Sequence, residues 1–216
     1  MNALHLARGE HVSTADQRLV MHQVPWSHFE AQLALRGDVS VPRISYLQGT
    51  MELMSPSRDH ERLRSFIGRL LEAYALEHDI DLSPYGAWTL KDAPEEAGAE
   101  PDECYLVGDQ NKDRPDLAIE VVWTSGGLNK LEIYRRLGVD EVWVWRKGQL
   151  EVHLRRASGF VRSTRSRLFP KLDVALLASF LDKPTAMQAV RAFREALRKG
   201  PMAAKRPART QSKRRG

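Results

Sequence analysis

The chain has 216 residues, 42% of them hydrophobic and 28% charged, which suits one soluble domain with appendages. No apolar run approaches the roughly 20 residues that cross a bilayer, and the charges scattered through residues 1–20 do not make a secretory signal. The single cysteine, Cys104, excludes an intrachain disulfide and a thiolate zinc site, and it suits a reducing, cytoplasmic compartment.

The net charge of +5 is unevenly placed. Residues 199–216 hold seven basic side chains and no acidic one, which leaves residues 1–198 at a net −2. The expected organisation is a loosely ordered segment over residues 1–25, one domain over residues 26–198 and a basic, disordered tail over residues 199–216. Such a tail is either a solvated extension or a nucleic-acid contact, with Lys205 and Arg206 among its cations.

In chain order, Ser27 is the expected cap of a short helix with Phe29, Leu33 and Leu35 facing inward and Gly37 as its stop. Residues 44–47 and 51–54 flank Gln48-Gly49-Thr50, the pattern of a β-hairpin. Pro56-Ser57 introduces a helix over residues 58–78, in which Leu63, Phe66, Ile67, Leu70, Leu71 and Tyr74 recur at helical spacing. Short strands are expected at residues 80–82 and 85–90, then a loop over residues 91–100.

Strands follow at residues 104–107 and 117–123. Thr124-Ser125-Gly126-Gly127, with Ser125 as cap, leads into a helix over residues 128–137. Strands at residues 141–145, 150–154 and 160–161 come next, then helices over residues 172–181 and 185–198. The strand–helix–strand passage across residues 117–145 reads as a parallel crossover. The expected fold class is α+β, a mixed sheet flanked by helices. Neither a phosphate loop nor a GxGxxG motif is present.

The chemistry centres on Arg114-Pro115-Asp116-Leu117-Ala118-Ile119-Glu120-Val121-Val122-Trp123. Asp116, Ala118 and Glu120 stand two apart, so a strand points them to one face. A carboxylate in a buried strand is costly unless it is paired or bound. Pro101-Asp102 opens the preceding strand in a similar way. Two carboxylates converging from neighbouring strands, without a Cys or His cluster, suit Mg²⁺ or Mn²⁺ rather than zinc. Ordinary roles, with Asp102 capping a turn and Glu120 paired to a Lys or Arg, explain the same spacing. Trp143 and Trp145 share one strand face and are expected to pack on the sheet rather than stack on bases. Arg155, Arg156, Arg162, Arg165, Arg167 and Lys171 form a basic cluster, suited to phosphate contacts or simply solvated.

Several blocks also carry a resemblance: Arg43-Ile44-Ser45-Tyr46, Gly49-Thr50-Met51-Glu52-Leu53-Met54-Ser55-Pro56-Ser57, His60-Glu61, Glu100-Pro101-Asp102, Pro115-Asp116-Leu117-Ala118-Ile119-Glu120-Val121 and Lys130-Leu131-Glu132-Ile133-Tyr134. In this order, over roughly residues 40–165, they resemble the Uma-type restriction-endonuclease family of the PD-(D/E)XK nuclease superfamily. The resemblance implies a restriction-endonuclease-like mixed sheet flanked by helices, and a metal-dependent endonuclease acting on DNA. It implies Asp102 and Glu120 as catalytic metal ligands, Asp116 as a reserve ligand, and Glu61 as the acid of the first helix. The superfamily pattern places a lysine two residues after the strand acid, where this chain has Val122. Lys130, on the next helix, is the implied substitute, with Lys91 a further option. The implied cofactor is Mg²⁺ or Mn²⁺. DNA is the implied partner. Apart from the resemblance, the charge pattern offers Arg155, Arg156, Arg165, Lys205 and Arg206 as contacts, the hydropathy implies no membrane, and a homodimer is an open assembly. Val122 also supports an alternative, an inactive nuclease-fold module that binds nucleic acid through the tail and the last hairpin.

Overall fold

The longest helix fixes one face of the molecule. In a computed structural model that describes residues 15–122 and 127–199, α2 spans Arg58–Glu77 and lays Leu63, Phe66, Ile67, Leu70, Leu71 and Tyr74 into the main core. Ser57 caps it, accepting from the His60 backbone N–H at 3.3 Å, which satisfies one of the donors that every helix start leaves open.

Two sheets lie beside it. The first is antiparallel. Its strands are β1 (Gln17–Met21), β2 (Arg43–Leu47), β3 (Thr50–Ser55), β5 (Leu90–Asp92) and β6 (Ala97–Ala99), in the order β1-β3-β2-β6-β5. The second is mixed, with β4 (Leu82–Pro84), β7 (Glu103–Val107), β8 (Leu117–Val122), β9 (Glu141–Arg146), β10 (Gln149–Arg156) and β11 (Gly159–Ser163), in the order β11-β10-β9-β8-β7-β4. β8 and β9 pair in parallel through the helix α3 (Lys130–Arg136), so the expected crossover is present. This is the α+β, restriction-endonuclease-like architecture anticipated from the sequence.

The side-chain period of two divides β8 between two cores. Leu117, Ile119 and Val121 join α2, α4 (Val174–Ala178) and α5 (Ala186–Lys199) on one face. Ala118 and Val122 join α3, β5 and β6 on the other. Glu120 falls in that second, otherwise apolar row. Trp143 and Trp145 are buried in the first core, so they pack on the sheet as expected.

Several local expectations are corrected. α1 (Trp26–Arg36) starts one residue before Ser27, with Pro25 at the cap position and no side-chain cap. Proline presets the extended entry and needs no N–H there. Leu35 is 82% exposed, not inward, and Phe29 alone in α1 is fully buried. The first of the two short strands lies slightly later, at β4, and the second is shorter, at β5.

The loop expected over residues 91–100 instead contains β6. Its Ala97-Gly98-Ala99 has weak strand propensity, but a Cβ at position 98 would run into the Phe29 ring. Close packing under α1 therefore selects these small residues. Residues 17–21, expected to be loosely ordered, form β1 on the edge of the first sheet. The Ser125 cap and the tail cations Lys205 and Arg206 lie outside the described residues. Among the described residues no helix is long and apolar enough to cross a membrane.

Candidate active site

Strand register builds the centre of the site. β7 and β8 are antiparallel, with Glu103 opposite Ile119 and Cys104 opposite Ala118. One step further along the same register sets Asp102 against Glu120. The Val121 N–H then donates to Asp102 Oδ2 at 2.6 Å, which ties the Pro-Asp turn to the neighbouring strand.

Lys130 and Tyr134, four apart on α3, share the helix face that meets Glu120. The Lys130 ammonium lies 3.4 Å from Glu120 Oε1, and the Tyr134 hydroxyl donates to the same oxygen. An amine from the following helix thus stands beside Glu120, on a strand that has Val122 two residues further on.

Asp102 is held from the other side by two cations. Arg43, from the start of β2, reaches Oδ1 at 2.5 Å, and His60 Nε2, from the first turn of α2, lies 2.9 Å from Oδ2. The His60 Nδ1 faces Asp16 Oδ2 at 3.1 Å. Arg43 also spans to Glu61 Oε1 at 2.7 Å, and Arg64 links Glu61 to Glu103. Arg43 Nη1 and His60 Nε2 are 3.4 Å apart; with His60 protonated both are donors, and Asp102 between them is what makes that approach tolerable.

The charges follow from this arrangement. Burial alone would push the His60 pKa down, but its hydrogen bonds to Asp102 and Asp16 and their charges lift it to about 9. Burial would raise the Asp102 pKa, yet the His60 hydrogen bond and charge, the Arg43 guanidinium and the Val121 N–H hold it below the usual carboxylate range. Glu120 moves the opposite way: burial and the nearby Asp102 charge raise it, against Lys130, Tyr134 and Arg43. Two facing carboxylates with divergent proton affinities are a common arrangement in acid–base sites. Burial pushes the Cys104 thiol up to about 12, so it is no thiolate nucleophile near neutral pH.

For a metal, the donor set is two hard carboxylates. Among the described residues no group of three or more His, Cys, Asp or Glu side chains converges as ligands. Mg²⁺ commonly takes one or two carboxylates and completes its shell with water. Asp102 and Glu120 fit that pattern in kind, and the Glu120 carboxyl, raised in part by the Asp102 charge, marks where a cation would relieve repulsion. Arg43 would have to share Asp102 with it.

A cleft of about 790 Å³ opens onto Glu120 and Lys130, with Arg18, Glu52, Arg146 and Lys147 on its walls. Parallel pairing of β8 with β9 sets Val122 beside Arg146, so the β9–β10 turn borders the mouth.

The structure brings together Asp102, Glu120 and Lys130, and attaches Glu61 through Arg43. It does not bring Asp116 to them. Asp116 precedes β8, four residues from Glu120, and accepts from the Val107 N–H and the Lys112 ammonium. Lys91 pairs with Glu30 on the surface. Arg155 is bound to Asp140 beside the start of β9, at the opposite end of that strand from the cleft-lining Arg146, while Arg156 and Arg165 are exposed.

Sequence reasoning gave no role to Arg43, His60, Tyr134 or Asp16. Tyr134 was detectable, since a polar aromatic four residues after Lys130 shares its helix face. Arg43 and Asp16 carry no such signal, because each reaches the site from a part of the chain far away in sequence.

No curated protein matches the chain. A family model described as "Putative restriction endonuclease" matches residues 26–182, most of the chain and all three of Asp102, Glu120 and Lys130. The chain therefore belongs to the Uma2 family.

Proposed function

We propose that the protein is a metal-dependent endonuclease that hydrolyses DNA phosphodiester bonds. The observation that carries this reading is Asp102 facing Glu120 across β7 and β8 with the Lys130 amine 3.4 Å from Glu120. Asp102 and Glu120 would hold one Mg²⁺ or Mn²⁺. Such an ion, when bound, supplies charge neutralisation at the phosphate and a more acidic water.

The side chains divide the remaining work. Lys130 orients the attacking water and offsets charge on the pentacoordinate phosphate. Tyr134 fixes the rotamer of Glu120 through its hydroxyl. His60 and the Val121 N–H fix Asp102, and Glu61 steadies Arg43. The basic residues Arg146 and Lys147 on the wall of the cleft suit a polyanionic strand.

DNA cleavage with Mg²⁺ or Mn²⁺ tests the reading, comparing wild type with Asp102→Ala and Glu120→Ala. Loss of cleavage in both variants is expected, and equal activity in all three proteins overturns it. A second reading, an inactive nuclease-fold module, draws on the Arg43–Asp102 pair, which already neutralises one ligand. It predicts DNA binding without cleavage in either metal.

A further inference from the structure

The family match begins at residue 26, yet β1 lies before it and reaches the site at two points. β1 is an edge strand with mostly exposed residues, paired only along β3 among the described strands. Just ahead of it, the Asp16 side chain is fully buried. An edge strand does not need a buried carboxylate for its own stability, and burying one is costly unless it is well paired. Asp16 accepts from the Ser57 N–H at 2.9 Å through Oδ1 and meets His60 Nδ1 through Oδ2. The other nitrogen of that imidazole is the one on Asp102.

Arg18 stands two residues on, so it projects to the same side of the strand. Its Nη1 lies 3.5 Å from Oε2 of Glu52, a carboxylate buried in β3. Glu52 Oε2 also accepts from the Leu128 N–H at 3.2 Å. Leu128 sits two residues before Lys130, in the connection that joins the Glu120 strand to the Lys130 helix. The approach is close: a Cβ at Gly127, which has φ +99°, would strike the Glu52 carboxylate and the Arg18 guanidinium.

We propose that Asp16 and Arg18 are positioning residues of the nuclease site. The N-terminal strand, outside the matched family core, completes that site. Asp16 locks His60, and through it Asp102. Arg18 locks Glu52, and through it the turn that aims Lys130 at Glu120. The chemistry they serve rests on the nuclease reading above; the contacts do not.

The test uses the full chain with Asp16→Ala, Arg18→Met and Arg18→Lys, and reads amide hydrogen exchange alongside cleavage. Asp16→Ala is expected to speed exchange at Val121, whose N–H donates to Asp102. Arg18→Met is expected to speed it at Leu128, each by about tenfold or more. The amides of β9 and β10 should be unchanged, and Arg18→Lys should restore Leu128. In cleavage assays kcat should fall while KM for DNA stays within about twofold. Unchanged exchange at both amides overturns the proposal, as does a uniform rise across the core, which would make the strand merely structural. A change in KM alone would make Arg18 a DNA contact and equally overturn it. If wild type cleaves no DNA with either metal, the nuclease reading falls, while the exchange measurements still decide whether the strand holds these residues.

Discussion

His60 gives a pH signature that can be worked out from its contacts. It is fully buried between Asp16 and Asp102, and its pKa stands at about 9 against 6.5 for a free imidazole. The folded state therefore binds the His60 proton more tightly than the unfolded chain does. That stabilisation is fully present below pH 6.5 and is lost as the pH rises through about 9. At about 1.4 kcal/mol for each unit of pKa difference, the loss is on the order of 3 kcal/mol. Urea unfolding of metal-free protein between pH 6 and 9.5 measures it, with His60→Asn as the control. Wild type should lose stability steadily across this window. The variant should start less stable and show a nearly flat profile. Equal slopes in the two proteins would refute the claim that His60 is held protonated between two carboxylates.

Other substitutions probe the limits of the site. Asp116→Ala should leave cleavage within about twofold of wild type in a steady-state assay, because Asp116 serves the Val107 N–H and Lys112; its cost should be stability, about 1–2 kcal/mol by denaturant titration. Gly98→Ala forces a Cβ into the Phe29 ring and should lower stability by about 1–3 kcal/mol or more, seen as a lower unfolding midpoint. Glu141 is fully buried and accepts from the Trp143 indole and from the Arg167 and Leu168 N–H groups, so Glu141→Ala should cost about 3 kcal/mol in the same measurement.

What could be read from the chain followed from periodicity. The apolar rows of α2 and β8 are strong enough to fix both elements, and the Gln48-Gly49 turn, with φ of 43° and 80°, is the positive-φ pair that closes a two-residue hairpin. Asp102 and Glu120 were legible as a pair of carboxylates from strand alternation on neighbouring strands, while Lys130 came from the family resemblance rather than from periodicity. β6 was missed because Ala-Gly-Ala is selected by the Phe29 ring above it, a contact no local window contains. The cations on Asp102 were missed for the same reason: Arg43 lies 59 residues away in sequence. Charge density around the last hairpin carries no information about which end of a strand faces the cleft. Strand register does, and it directs attention to Arg146 and Lys147 instead.

The central claim is that Glu120 and Lys130 act together on a phosphodiester with a divalent metal. Single-turnover cleavage of DNA with Mn²⁺ by wild type, Glu120→Gln and Lys130→Met tests it most directly. The isosteric amide removes the ligand charge without emptying the pocket, and methionine keeps the lysine stem without its amine. Wild type should cleave, and each variant should be slower by about 10²-fold or more. Cleavage by all three proteins at the same rate would contradict the account.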